Sequence, residues 1–375
     1  MKFTCLDPRK NKKKMIRKML GFSGKIIFLR FARVGFKVYP EANDRALMAL
    51  NCSKNIPRSK IFRALKLALL KAQYSGSRNY FEDNPSVVAV VWNGLNGTRR
   101  VFADAAKDAG NLTLFFELSP FKGRITIDPK GVNYANSLPR LSRSFIDWRA
   151  SKKDEIPSWH ELRDTITQRK PSHNSPDIAP PVMKDPYIFV PLQVPGDSQL
   201  RIFGGNFKTV ERFVSAILEA AKHCPEGWQV RVKEHPSAKP FVQDAIEAAG
   251  VDNVVLDNVT DTFEQVKNAR LVVTVNSSVG LEAMCFDKPV VACGDCFWAI
   301  DGVASTAETP SKLASVFADP CSVIFDDKAR DAFLTFLDQV YYPRVSEPEY
   351  AKIEARLFRE GEFSITADNT ASVVA

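Results

Sequence analysis

Leu271-Val-Val-Thr-Val-Asn-Ser-Ser-Val-Gly-Leu-Glu-Ala283 is an apolar run that ends in small polar residues and then resumes with helical spacing. That pattern reads as a buried strand, a tight turn and a helix start. Unpaired N–H groups at such a start, with the Ser277 and Ser278 hydroxyls, suit a phosphate. Gly280 admits close backbone approach, and Glu282, one turn along, lies within reach of a ribose hydroxyl. Asn276 or Ser277 also reads as a plain N-cap. Ligands of open α/β sheets bind at strand carboxyl ends, which is where these residues fall.

Working outward, strands are predicted at 187–191, 229–233, 254–256, 271–275 and 289–293. They alternate with helices over 209–223, 241–249, 261–269 and 278–286. The alternation predicts a doubly wound parallel sheet over 186–330. Lys233-Glu-His-Pro236 closes the second of these strands, so Lys233 and His235 join the serines at one sheet edge. A histidine there can donate to a phosphate or protonate a leaving group, although a lone histidine is often structural. Val190-Pro-Leu-Gln-Val-Pro-Gly-Asp-Ser-Gln199 adds Gln193, Asp197 and Gln199 on the loop after the first strand. An aspartate beside Gly and Ser also reads as a turn former.

The earlier half has the same rhythm: a helix over 59–72, a strand over 86–92, a loop over 93–97, a helix over 98–109 and a strand over 112–116. The fold class is therefore α/β, with two Rossmann-like domains and a crevice between them. Glu117 follows its strand as Asp197 follows its own, so the pair is expected to face one another. Paired carboxylates at a glycosidic centre divide nucleophile and acid/base roles, a separation of about 5 Å implying retention. Asn93, Asn96 and Arg99 suit an acceptor glycan, or are a turn and a surface charge. Trp92 and Trp298 suit sugar stacking or the core.

A chain of 375 residues accommodates two domains. The predicted divisions are a basic leader at 1–37, an acceptor-side domain at 38–170, a Pro-rich linker at 171–185, a nucleotide-sugar domain at 186–330 and a helical segment with a tail at 331–375. Net charge is +9, yet residues 1–37 hold twelve Lys or Arg and one acid, leaving the remaining 338 residues at −2. Nucleic acid is thus not an expected partner of the body. The cluster Lys10, Lys12, Lys13, Lys14, Arg17 and Lys18 beside Met19, Leu20 and Phe22 reads either as an anchor to an anionic membrane surface or as a solvated tail. No run of about 18 apolar residues exists to span a bilayer. The seven cysteines, without export signal or paired spacing, suit a reducing cytoplasm, and Cys293-x-x-Cys296 reads as two buried structural thiols.

Phe115-Phe-Glu-Leu-Ser-Pro120, Ile125–Val132 with Asn136–Pro139, Val190–Gln199, Glu234-His-Pro236, and Asn276–Ala283 with Lys288-Pro-Val290 together resemble the capsule polysaccharide biosynthesis family, which includes bacterial retaining β-Kdo transferases. The resemblance implies a GT-B-like glycosyltransferase with CMP-Kdo as donor and a lipid-linked or lipopolysaccharide/capsule glycan as acceptor. It implies retention through a covalent sugar–aspartate intermediate. Asp197 would be the nucleophile, Glu117 the acid/base, His235 a partner of the donor phosphate or carboxylate, and Ser277, Ser278 and Glu282 the CMP cradle. Leu118-Ser-Pro-Phe121 departs from the glycine-containing segment common after the glutamate. No Asp-x-Asp pair sits on a strand-end loop, and Asp326-Asp327 reads as a turn, so no metal cofactor is expected. The expected location is cytoplasmic, peripheral on the inner face of the membrane. Two other readings stay open: a GT-B transferase using another nucleotide sugar, and a non-catalytic capsule assembly or export protein.

Overall fold

A computed structural model describes residues 1–6, 9–152, 156–167, 181–182, 186–238 and 241–346. The chain forms two compact units: Met1–Pro139 with the chain from Asp338 onward, and Arg140–Leu337.

The first unit opens with β1 (Lys2–Leu6), α1 (Lys10–Leu20) and β2 (Lys25–Leu29), followed by α2 (Ala42–Asn51), α3 (Lys60–Glu82), β3 (Val87–Trp92), α4 (Gly97–Asp108), β4 (Thr113–Leu118) and β5 (Ile125–Asp128). The sheet order is β2-β1-β3-β4-β5, parallel except for the β4–β5 pair. The predicted leader is therefore not a leader. Residues 2–6 lie inside the sheet, in register with Val87–Val91. Ile16, Met19 and Leu20, spaced i, i+3, i+4, are buried in one core with Phe3, Val88 and Trp92. Met19 and Leu20 thus have no apolar face left for a membrane. Burying each such side chain is worth about 1.5–3 kcal/mol.

The second unit contains α5 (Ser142–Ser151), α6 (His160–Thr165), β6 (Tyr187–Pro191), α7 (Ser198–Phe203), α8 (Val210–Ala221), β7 (Gln229–Lys233), α9 (Val242–Ala249), β8 (Val254–Leu256), α10 (Thr262–Asn268), β9 (Leu271–Thr274), α11 (Ser278–Met284), β10 (Val290–Ala292), β11 (Ser305–Thr306), α12 (Pro310–Ala318) and α13 (Asp327–Phe336). Its six strands are all parallel, in the order β11-β10-β9-β6-β7-β8. On α8, Val210, Phe213, Val214, Ile217 and Leu218 are buried, and Thr209 caps the start by accepting from Arg212 N at 3.2 Å. Asp326, read as a turn residue, is the N-cap of α13.

The division between units falls at Pro139/Arg140, not in the predicted linker, and α5 and α6 belong to the second unit. Residues 171–180 and 183–185 of that linker, and the predicted helix and tail beyond residue 346, lie outside the described residues. The chain returns to the first unit through a π-helical turn at Leu337–Tyr341. There Arg124, buried, donates to the Asp338 carboxylate and carbonyl and, at 3.0 Å, to the Tyr342 carbonyl. Asp128, fully buried, accepts from the Lys130, Gly131 and Ser137 amides at 2.8–3.0 Å. The Ile125–Val132 and Asn136–Pro139 motif is thus a folded corner of this unit.

Candidate functional site

In the second unit the chain runs outward from β6 to β7 and β8, then crosses back to β9 on the other side of β6. The connections leaving β6 and β9 therefore diverge, opening a gap at their carboxyl ends where α/β sheets take ligands. A pocket of about 80 Å³ lies at this edge, lined among others by Leu192, Lys233, His235, Ser277, Ser278 and Glu282. Full ligand sites run to roughly 300–1,000 Å³, so this pocket by itself is smaller than a whole nucleotide sugar. Thr262 and Phe263, at the start of α10, complete its wall.

His235 Nδ1 accepts the Ser237 amide at 3.1 Å. That bond reserves Nδ1 as an acceptor, so the neutral ring carries its proton on Nε2 and is a donor there. Ser277 caps α11 by accepting from Val279 N at 3.3 Å. The N-cap and the ligand-facing reading coexist, because the same residue also lines the pocket. Glu282 is buried and reaches the same wall.

Beneath this wall lies a set of buried polar struts. Lys233 Nζ donates to the Thr260 carbonyl at 2.7 Å. Burial pushes its ammonium pKa down, with Asp257 and Asp261 pulling it back up. Arg231 and Asp257, both fully buried, pair at 2.5 Å. Burial pushes the Asp257 carboxyl up, but donors from Thr260, Arg231 and Val259 outweigh it and leave the group below the usual range. Glu234 accepts from the Phe241 and Val242 amides and from Asn258 Nδ2, which ties β7 to the start of α9.

Several expected donor contacts have other work. Gln193 Nε2 donates to Asn276 Oδ1 at 2.9 Å, and Asn276 N donates back to Gln193 Oε1 at 3.3 Å, stitching the two diverging loops together. The Gln199 carbonyl accepts from Asn276 Nδ2 at 3.2 Å. Gly280 is buried, and a Cβ there would stand 2.6 Å from the Trp298 ring. Its lack of a side chain serves that packing. Trp298 is correspondingly core. Asp197 caps α7, with Oδ1 accepting Gln199 N at 2.9 Å, on the loop that follows β6. It is half-buried and not part of the pocket wall.

In the first unit, Glu117 stands on β4 opposite Thr126 of β5. Trp92 Nε1 donates to its Oε1 at 3.1 Å, Asn93 Nδ2 to its Oε2 at 2.8 Å, and the Leu118 amide to Oε1 at 2.9 Å. The carboxylate is thereby held in one orientation by three N–H groups. Asn93 takes φ +68°, and its Oδ1 accepts the Leu95 amide. Its assigned acceptor-side amide is thus occupied with Glu117. Asn96 precedes α4 and is half-buried, as is Arg99. Lys12, counted above with the leader, places its ammonium 4.4 Å from the centre of the Trp92 ring. Burial pushes its pKa down and Glu117 raises it.

Residues 165–325 match the family model described as capsule polysaccharide biosynthesis protein. That stretch is less than half of the chain and lies within the second unit, which is thus similar to the capsule polysaccharide biosynthesis proteins. Protein FixF of Sinorhizobium fredii is 33% identical over 269 residues, 71% of this chain and 63% of that protein. Capsule polysaccharide export protein KpsS of Escherichia coli is 23% identical over 186 residues, 46% of each. The chain thus spans about half to two thirds of the length of these two relatives. Among solved structures, Thermosulfurimonas dismutans KpsC, beta Kdo 2,7 transferase, aligns with a TM-score of 0.54 at 14% identity, covering 91% of this chain and 92% of that one. Two Rossmann-like domains of the GT-B type are the shared fold.

The pocket brings together Lys233, His235, Ser277, Ser278 and Glu282. It does not gather Gln193, Gln199, Gly280 or Asp197. Sequence reasoning missed Lys12, Thr262, Phe263 and the Arg231–Asp257 strut. A signal existed for two of them: Asp261-Thr262-Phe263 follows a strand and opens a helix, as Asn276-Ser277-Ser278 does. Cys293 and Cys296 are buried, and burial pushes both thiols well up, away from the thiolate needed for redox or metal chemistry.

Proposed function

We propose that this protein is a glycosyltransferase that moves Kdo from CMP-Kdo to a lipid-linked or lipopolysaccharide/capsule glycan, with retention through a covalent sugar–aspartate intermediate. The observation that carries the reading is the convergence of His235, Ser277, Ser278 and Glu282 on one pocket at the switch point of the parallel sheet. The fold likeness to Thermosulfurimonas dismutans KpsC, a beta Kdo 2,7 transferase, supports the choice of sugar.

The Nε2–H of His235 and the two serine hydroxyls meet the donor phosphate, while Glu282 meets the cytidine ribose. Oδ2 of Asp197 attacks the anomeric carbon, and the bond to CMP breaks with its electron pair leaving on the phosphate. Glu117 then takes the proton of the acceptor hydroxyl as that oxygen displaces Asp197 from the sugar, giving two inversions and net retention. Hydrogen-bond donors would meet the donor's anionic groups without a metal, so transfer is proposed to be metal-independent.

Intact mass of purified Glu117→Ala protein after incubation with CMP-Kdo tests the sequence of steps. The expected result is an adduct one Kdo heavier, mapped to the peptide containing Asp197, with turnover by the wild type undiminished in EDTA. Failure of the wild type to release CMP from CMP-Kdo, while it releases nucleotide from another sugar donor, would shift the reading to a different transferase.

A further inference from the structure

Residues 45–81 contain eight Lys or Arg and no Asp or Glu. The whole-chain balance hides this, because acids elsewhere offset it. Much of the stretch is α3, 23 residues long and thus about 34 Å from end to end. Its two halves differ in kind. Leu70, Tyr74, Gly76 and Phe81 in the C-terminal half are buried, whereas no residue of Lys60–Leu69 is.

That protruding half is not polar. Ile61, Phe62, Leu65 and Leu69 are 72%, 65%, 60% and 51% exposed, at i, i+1, i+4 and i+8 along one side of the helix. Lys60, Arg63 and Lys66 are interleaved with them, and Lys54 and Arg58 precede them on an exposed loop. Lys66 Nζ donates to the Asn55 carbonyl and Arg63 to Asn51 Oδ1, both neutral acceptors. Soluble surfaces rarely leave so many large apolar side chains together without a partner. Cations interleaved with open apolar side chains along one helix match the layering of phosphate over acyl chain in an anionic lipid surface.

We infer that the first half of α3 is an interfacial helix that docks this protein on an anionic lipid surface. Ile61, Phe62, Leu65 and Leu69 enter the boundary between headgroups and acyl chains, and the flanking lysines and arginines meet lipid phosphates. This role passes from α1, whose apolar side is spent in the core, to a helix whose apolar side is open. Among the described residues no helix is long and apolar enough to cross a membrane, so contact is made from the surface. The inference rests on exposure and charge and not on the choice of sugar donor.

Co-sedimentation of the full chain with phosphatidylcholine vesicles, with and without phosphatidylglycerol, reads this without turnover. The wild type is expected to bind the phosphatidylglycerol vesicles and to leave them as salt rises. The triple variant Lys60→Glu, Arg63→Glu, Lys66→Glu loses roughly 100-fold in partitioning. The variant Ile61→Ser, Phe62→Ser, Leu65→Ser loses at least tenfold, with circular dichroism confirming an intact fold. Lys10→Glu, Lys14→Glu, Lys18→Glu in α1 retains most of the binding. The inference is overturned if the wild type ignores both vesicles, if the α1 variant loses as much as the α3 variant, or if the apolar variant binds unchanged. It is equally overturned if binding appears only after residues 347–375 are removed, or if the serine variant merely converts a self-associated wild type to monomer.

Discussion

The two units hold their candidate carboxylates and donors in opposite ways. Glu117 sits on a strand, where the register of β4 against β5 fixes its backbone and three nearby N–H groups aim its side chain. In the second unit the candidate groups lie at a strand end, on the loops beyond it or in the first turns of the helices that follow, over buried polar struts made by Arg231–Asp257, Glu234–Asn258 and Gln193–Asn276. A strand positions a residue through the ladder it already makes, whereas a loop has to be braced. The difference predicts where mutations away from the chemistry will hurt.

The largest effect should come from the deepest brace. Asp257→Asn leaves the Arg231 guanidinium buried without its carboxylate, at a cost of about 3–5 kcal/mol in chemical denaturation. Glu117→Gln, whose partners are neutral donors, should cost about 1 kcal/mol or less. Equal losses would break the contrast. Next in size is Gly280→Ala, which drives a methyl into the Trp298 ring and should lower stability by about 1–3 kcal/mol, read from the thermal midpoint. A neutral result would mean that α11 can shift on its brace.

Trp92→Phe keeps a ring in the core but removes the N–H that aims Glu117. It should cost about 1 kcal/mol of stability and roughly tenfold in transfer rate, with KM for the donor unchanged. An unchanged rate would show that Asn93 and the Leu118 amide suffice. The smallest effect belongs to a surface pair of the second unit. The Lys312 hydrogen bond draws the Glu308 carboxyl down to about 2 from an ordinary 4.5. A lowered carboxyl stabilises the fold above its ordinary value and loses that contribution as pH falls from about 4.5 toward 2. Both side chains are largely exposed, so Glu308→Gln should flatten the acid limb of the stability curve by about 0.5 kcal/mol or less.

Tyr187–Pro191 and Leu271–Thr274 were legible because a parallel strand covered on both faces is a continuous apolar run, whereas Gln229–Lys233 alternates Gln-Val-Arg-Val-Lys and was legible from its place between two helices. Tyr187–Pro191, Gln229–Lys233 and Val254–Leu256 fall where they are predicted. The first 37 residues were not. Twelve cations in that stretch read as a tail, while the i, i+3, i+4 spacing of Ile16, Met19 and Leu20 carried the fold. The boundary at Pro139 escaped because α5 and α6 are short and their neighbours polar. His235, Ser277 and Ser278 were legible as strand-end residues. Gln193 and Gly280 were read for a ligand alone, because a polar or small residue at a strand end serves a loop clamp or a tight packing contact as well as it serves a ligand.

The chain passes between its units twice, after Pro139 and again before Asp338. A fragment ending at residue 139 would leave Arg124 buried without its carboxylate, and Asp128 without the Tyr341 hydroxyl. Exchanging the first unit with that of a relative therefore requires two junctions chosen together. A chimaera spliced only at residue 139 would carry one protein's Arg124 corner and another's clasp. The stability of such an exchange should accordingly depend on the last described residues of the chain as closely as on the first.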